Sequence, residues 1–392
     1  MKTKIHYHNS CRLCKKQNLK RFLHFDTIPF ADAFIAPDEL GNEFVAPIDI
    51  YWCEDCKSVQ TQHDVEIEEY YRDYHYTISA SPFMQRSMQS LAEETFRRYD
   101  LPQSSSVIEI GSSDGLQLHY FQQLGAQVLG YEPSEMLTKV ANENGVPTVC
   151  TLFTRETIPT IPKDLMPANV VLLIHTFDHL LDPLDFLQAI HEVIDPETGL
   201  LIIEVHNIDQ IVRRMETFLF THEHTTYSSA LTMKRLLERT GFKLLATDLI
   251  PPEQRRINSL LVVAARKDSK YQPDPDLDLS SLHYLDRWET YADFERVVKT
   301  SYQNLRQYIK RQIRAGKRLA GYGCGGRGVM TLAMAALSSE EIAYVCDRNT
   351  NAHGLYTPYS HIPIVPPAHL KDDPVDEIIV FSFGYFDEIK EQ

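Results

Sequence analysis

The sequence predicts an α/β protein in which two units with mostly parallel sheets follow a small segment folded around a metal. Three observations carry this. The first four of seven cysteines form two Cys-x-x-Cys pairs, Cys11/Cys14 and Cys53/Cys56. From Ser106 onward, short apolar runs alternate with helical periodicity and Gly-rich turns. The alternation stops over a polar stretch, 268–281, and resumes at Lys317 after a long helical region. Strand and helix signals repeated in this way indicate parallel sheets with crossover helices. A length of 392 residues suits two or three domains, read here as 1–70, 71–267 and 282–392.

Each element follows from its own pattern. Phe44–Tyr51 is strand-like, and Pro82, Met84, Met88, Leu91 and Phe96 are spaced as a helix over 82–98. Strands are expected at Val107–Ile110, Gln127–Tyr131, Val170–Ile174, Leu200–Val205, Phe242–Leu249 and Leu260–Ala265. Helices are expected from about Ser134, around Pro183–Val193, and over Leu231–Thr240, where Gly241 ends the run. A long helix over Trp288–Ala315 then leads into strands at Arg318–Tyr322, Ile342–Cys346 and Glu377–Phe381.

Composition narrows the function. Hydrophobic residues make up 43% and charged residues 24%, as in a soluble globular chain. No apolar run reaches the length of a membrane span, and Met1–Ser10 lacks the apolar core of a secretory signal. A cytoplasmic location without a membrane partner is expected. The net charge of -15 argues against nucleic acid, whose binding depends on Lys and Arg neutralising phosphates. A small-molecule substrate fits better, and an anionic one needs locally placed cations or helix N-termini. The oligomeric state is not legible.

Two Cys-x-x-Cys turns can place four thiolates, from Cys11, Cys14, Cys53 and Cys56, around one Zn2+. Four thiolates leave no open position, so the ion is structural, and so small a segment is expected to need it for folding. His6 and His8 read as surface residues.

The run Val107–Gly115 joins a strand to a helix and reads Glu109-x-Gly111-x-x-x-Gly115, with Ser113 and Asp114 in the turn. Missing side chains let a ligand approach the backbone next to a helix N-terminus. Glu132, followed by Pro133, closes the next strand twenty-one positions after Gly111, where a carboxylate can bind both hydroxyls of a ribose. These two pieces resemble the first motifs of class I S-adenosylmethionine (SAM)-dependent methyltransferases. A third, His175–Pro183, follows a strand end where cofactor and acceptor meet in such folds, and puts His179 there. Thr221-His222-Glu223-His224 then sets two histidines around a carboxylate, a pattern suited to proton transfer. Its spacing does not match a His-Glu-x-x-His metal helix.

Taken with Asp347-Arg348-Asn349, Gly354–Pro358 and His361–Ile364, these motifs resemble the sugar C-methyltransferases that act on dTDP-linked 4-keto-deoxysugars. The resemblance covers essentially the whole chain. It implies a zinc-binding domain, a class I SAM methyltransferase domain of Rossmann-like fold, and a second Rossmann-like domain that helps hold the nucleotide-sugar. It implies His224 as the base with Glu223 beside it, and His179 in the active site. The family's tyrosine before the middle domain falls on Tyr74 or Tyr76; Tyr76 is taken as catalytic, and Tyr74 and His222 as substrate contacts. The sequence departs from the family at Thr221, where a tyrosine is usual, at Ser113, where an asparagine is usual, and at Ile257-Asn258-Ser259, where Gly-Gly-Ser is usual. The implied reaction removes a proton from the carbon beside a ketone and methylates that carbon.

Two other readings remain open. Gly321-Tyr322-Gly323-Cys324-Gly325-Gly326, with Asp347 twenty-one positions after Gly326, satisfies a nicotinamide-dinucleotide fingerprint, which makes an NAD(P)-dependent nucleotide-sugar enzyme an alternative. In the resemblance, Gly323 and Arg327 instead face the substrate, with Arg327 pairing with a phosphate. A scaffold that uses the fold only for binding is the non-enzymatic alternative.

Overall fold

The computed structural model describes residues 4–66, 81–256, 258–381 and 386–391. Among these residues, the N-terminal part contains β1 (Ile5–Tyr7), β2 (Leu19–Pro29), β3 (Val45–Cys53), β4 (Val59–Thr61) and β5 (His63–Val65). Strands β2, β3 and β4 are antiparallel, and β1 pairs with β5 at one side.

Helix α1 (Pro82–Tyr99) leads into the middle part. Ser81 caps it and Pro82 occupies its first turn, where a missing N–H costs nothing. There follow β6 (Ser106–Ile110), α2 (Leu116–Gln123), β7 (Gln127–Tyr131), α3 (Glu135–Glu143), β8 (Thr148–Val149), β9 (Val170–Ile174), α4 (Pro183–Val193), β10 (Leu200–His206), α5 (Ile208–Arg214), β11 (Thr226–Tyr227), α6 (Ala230–Arg239), β12 (Phe242–Ala246) and β13 (Ser259–Arg266). Seven of these strands form one sheet in the order β12-β13-β10-β9-β6-β7-β8, with β13 alone running against the others. All residues of β6 and β10 are buried, as expected for strands covered on both faces.

The last part holds α7 (Trp288–Arg314), β14 (Leu319–Tyr322), α8 (Gly326–Met334), β15 (Val345–Cys346), β16 (Ile364–Val365), the single turn α9 (His369–Asp372), and β17 (Glu377–Val380). Its parallel sheet has the order β16-β15-β14-β17. The expected α/β class and three-part order agree with this architecture. Three elements differ from the sequence reading: only Val345–Cys346 of the expected strand 342–346 pairs, β12 ends at Ala246 and not at Leu249, and α5 had no strong periodic signal over its seven residues.

The N-terminal part is not a self-contained unit. Strand β11, which directly follows His224 and Thr225, pairs with β4 and completes the sheet β11-β4-β3-β2. Phe22, Ile48 and Trp52 share one core with Ile211 and Phe220 of the middle part and with Tyr291, Phe294 and Met330 of the last. Arg12, inside the first cysteine turn, is 4% exposed. It donates to the carbonyls of Thr61, His63 and Leu181 at 3.1, 2.9 and 3.2 Å and pairs with Asp64 at 2.6 Å. Lys15 reaches Asp182 at 2.7 Å, and Asp182 caps α4. Metal turn, strand and the loop that starts α4 are thereby one structure.

His222 lies in this interface. Its Nε2 donates to the Ile28 carbonyl at 2.9 Å, so its Nδ1 accepts, and His63 Nε2 donates to it at 2.9 Å. Phe30 and Phe44 meet its ring edge to face. Burial pushes both His63 and His222 down to about 4, against about 6.5 in an unfolded chain. The folded state therefore binds fewer protons across that interval. The stability this pair contributes is complete above about pH 6.5 and is lost as pH falls towards 4. Thermal melts across this window should show a falling midpoint on acidification. A His63→Gln, His222→Gln double variant should have a shallower decline.

Candidate active site

The two cysteine turns are copies of one another. Lys15 N donates to Cys11 O at 2.8 Å and Lys57 N to Cys53 O at 2.9 Å, and both lysines adopt positive φ, 61° and 65°. The four sulfurs lie within 4.8 Å of one another, with Cys11–Cys56 and Cys14–Cys53 at 3.5 Å. A tetrahedron with Zn–S bonds of about 2.3 Å has edges of about 3.8 Å, so the thiolates fit zinc. Gln60 Nε2 donates to Cys11 Sγ at 3.0 Å and orients it.

At the carboxyl ends of β6 and β7, the glycine turn and Glu132 meet. Gly111 has φ +73°, and a Cβ there would lie 2.3 Å from Thr176 Oγ1. Only glycine lets this turn pass under the segment after β9. Ser113 also has positive φ, 52°, and Gly115 caps α2, whose first turn Asp114 supports by accepting from Leu116 N at 3.3 Å. Glu132 accepts from Ser113 N and Ser134 N, both at 2.9 Å, across Pro133. Burial pushes its carboxyl up, against the two backbone bonds. Glu109 is pushed well up by burial, then by Asp114 and Glu132, and its Oε2 is buried without a partner, as is Ser112 Oγ. Orphaned polar atoms beside a turn that excludes side chains make a cradle for a polar ligand. These residues fit SAM: Glu132 would hold the ribose, and the glycine turn with the α2 N-terminus would lie beneath the amino-acid moiety.

The neighbouring strand ends carry histidines. His179 lies in a short 3-10 turn after β9, His206 is the last residue of β10, and His224 lies between α5 and β11. The His224 ring centroid is 4.9 Å from that of His179 and 4.4 Å from that of His206. His224 Nδ1 donates to the Leu219 carbonyl at 2.9 Å, which leaves Nε2 with the lone pair. Thr225 holds the segment from the other side, donating from N to Asp178 O at 2.7 Å and from Oγ1 to Leu180 O at 2.7 Å. Burial pushes His179 and His206 each down to about 4. Glu223 is half-buried and faces Asp32 of the N-terminal part, a residue exposed as a whole whose carboxyl is pushed up by local desolvation and then by Glu223.

The structure thus brings Glu109, Gly111, Ser113, Asp114, Gly115, Glu132, Pro133, His179 and His224 to the ends of one sheet. His222 is turned away into the domain interface, with both ring nitrogens bonded to protein. Tyr74 and Tyr76 lie outside the described residues. In the last part, Gly323 has φ +94°, and its carbonyl lies 2.0 Å from where a Cβ on Gly328 would sit, so α8 packs directly on the turn. Arg327 contacts the middle part, 3.4 Å from Glu216, with its guanidinium over the Phe218 ring at 4.5 Å. Sequence reasoning missed His206, Asp178 and Asp32. His206 was findable as the residue just past the strand expected over Leu200–Val205, which the structure extends by one residue.

Three family models match consecutive parts of the chain. "Putative zinc binding domain" covers 11–71, "Methyltransferase domain" covers 82–247, and "C-methyltransferase C-terminal domain" covers 259–392. The chain is therefore a SAM-dependent methyltransferase with zinc as a second cofactor, and the geometry of its four N-terminal cysteines suits that ion. The three matches run in the order zinc binding, methyltransferase and C-methyltransferase C-terminal domain, the order expected for a C-methyltransferase. It is 25% identical over 386 residues to the C-methyltransferase NovU of Streptomyces niveus, covering 97% of this chain and 91% of the relative. Solved structures similar to it include magnesium protoporphyrin IX methyltransferase from Synechocystis PCC 6803 with bound SAH, at 15% identity and TM-score 0.37, covering 50% of this chain and 91% of that one. Another is the CcbJ methyltransferase from Streptomyces caelestis, at 16% identity and TM-score 0.37, covering 51% and 96%. No helix among the described residues is long and apolar enough to cross a membrane.

Two outcomes follow from the site. Elemental analysis should find about one zinc per chain, and stripping it with a chelator should lower activity as well as stability, because Arg12 and β4 hold the loops of His179 and His224. Glu132→Ala should weaken SAM binding more than tenfold by calorimetry, in line with a loss of about 1.5–3 kcal/mol for hydrogen bonds to a charged group.

Proposed function

We propose that the chain methylates the carbon beside the ketone of a nucleotide-linked 4-keto-deoxysugar, dTDP-linked by its resemblance, with His224 as the base. The observation that carries the reading is the tautomer of His224. Its Nδ1 proton is committed to the Leu219 carbonyl, so Nε2 is left as a proton acceptor next to His179.

A ketone acidifies the neighbouring carbon because the charge spreads onto oxygen. His224 Nε2 takes that proton, and the substrate carbanion attacks a methyl group in line. SAM, when bound, supplies that methyl as an electrophile. His179, held neutral, is suited to donate a hydrogen bond to the enolate oxygen. Glu223 and Asp32 are suited to sugar hydroxyls. Arg327 and the Gly323 turn lie on the last domain, where the resemblance puts the nucleotide-sugar, with Tyr74, Tyr76 and His222 as its further proposed contacts. The bonds of His222 give it an indirect part, through the loop it anchors. The protein's contribution is mainly to position two substrates and stabilise developing charge.

Incubation with SAM and a panel of nucleotide-linked 4-keto sugars, followed by mass spectrometry, should show gain of one methyl group on one of them. No gain on any would overturn the substrate class. General-base catalysis contributes about 10²–10⁴-fold, so His224→Gln should lower turnover by that order with SAM affinity nearly unchanged. Its exchange of the hydrogen beside the ketone with deuterated solvent should slow in parallel. Exchange as fast as wild type would move the base to His179.

A further inference from the structure

Beside His224 stands a pair of side chains that proton abstraction does not itself use. His206 bonds through Nδ1 to Asp178 Oδ2 at 2.6 Å, and its ring packs against that of His224 with the planes tilted by 45°. Asp178 is 1% exposed and precedes His179 in the turn after β9. Its other oxygen, Oδ1, is buried without a hydrogen-bond partner and lies 3.8 Å from His179 Nε2. Its main chain is held as well, because the carbonyl accepts from Thr225, the residue after His224.

A buried carboxylate is costly unless something nearby needs its charge. Burial opposes ionisation of Asp178, yet the hydrogen bond from His206 holds its carboxyl well below the usual range. His206 is pushed down by burial and then by His224, so the pair is a carboxylate bonded to a neutral imidazole and carries one net negative charge. A base beside it that takes a proton becomes a cation, and a buried negative charge at this distance favours that form.

We propose that Asp178 is a positioning residue for the base: through His206 it fixes the ring of His224, and its charge stabilises the imidazolium that forms there. This rests on the reading of His224 as the base. Other groups face the same ring. His179 comes from the turn after β9, Glu223 and Tyr227 from the segment of His224 itself, Asp32 opposes Glu223 from the N-terminal part, and His175 lies next to His206. Glu223 is half-exposed, and water screens it; Asp178 is not screened. Thr221 supplies no phenol to share the proton, which places more of the stabilisation on this carboxylate.

The test uses the full zinc-loaded chain and two readouts. Asp178→Asn keeps the shape and an acceptor for His206 but removes the charge. NMR titration of the His224 ring in the free protein, identified by its loss in His224→Gln, should move to lower pH by at least about half a unit, as expected when an opposite charge nearby is removed. With dTDP-linked 4-keto-6-deoxyglucose as probe, kcat should fall at least about tenfold while KM stays within about twofold. The acidic limb of hydrogen–deuterium exchange should move to lower pH. Asp178→Glu keeps the charge but displaces it, and should restore the titration without restoring kcat. It also serves if the Asn variant does not fold. A His224 titration that moves as far in Asp178→Glu as in Asp178→Asn, or in neither, overturns the proposal. A titration that moves as expected while His224→Gln still exchanges the substrate hydrogen leaves the charge coupling standing and overturns the choice of base instead.

Discussion

The guanidinium of Arg12 joins parts of the chain that sequence keeps far apart. It sits between two zinc ligands and donates to Leu181, two residues beyond His179, and to the strand that pairs with the residues after His224. Four partners surround a buried cation here, so its charge and its geometry are both satisfied. Removing the metal would release the turn that aims this side chain. A closed four-thiolate site with no chemistry of its own can therefore matter to catalysis, because the same turn restrains the loops of both candidate proton carriers.

Four histidines of this region show how surroundings assign roles to one residue type. His63 and His222 face each other in a dry interface, and the Ile28 carbonyl sets the direction of the bond between them. His206 is tied to a carboxylate, and His224 is tied to a backbone carbonyl. Of these, only His224 has an arrangement that leaves a lone pair towards the other active-site rings without a carboxylate holding its first nitrogen. Positions 222 and 224, two apart, end with opposite functions because an extended segment sends every second side chain to the same face only while it stays regular. Here the chain turns between α5 and β11.

Much of this was legible in the sequence because it is local. The Cys-x-x-Cys turns, the strand and helix alternation, Gly111 and Glu132 each depend on residues within a few positions or on one strand–turn–helix unit. Asp178 and Asp32 were not legible, and the role of His206 was not, because these come from the order of strands in a sheet and from packing between domains. The pairing of β11 with β4 joins residues more than 160 positions apart, and no periodicity encodes such a register. Helix α5 was missed because seven residues give too little periodic signal. His222 misled through its proximity in sequence to His224.

The two glycine turns show why spacing alone could not decide between cofactors. In the middle domain, Glu132 accepts from Ser113 N and Ser134 N; in the last, Asp347 accepts from Cys324 N and Asn349 N at 2.7 and 2.8 Å. The same brace occurs in both places. An acid at the end of the second strand ties the glycine turn of the first strand to the residues that follow the acid, across nineteen residues in the middle domain and twenty-three in the last. An acid about twenty residues beyond a glycine turn is thus a property of the strand–turn–helix–strand unit before it is a code for any ligand. Discrimination comes from what surrounds the brace. Around Glu132 there are orphaned polar atoms on Glu109 and Ser112 and the histidines of the next strand ends; around Asp347 there is a thiol, pushed up by burial and by that same carboxylate. A fingerprint therefore identifies a fold unit, and the unsatisfied groups beside it identify the ligand.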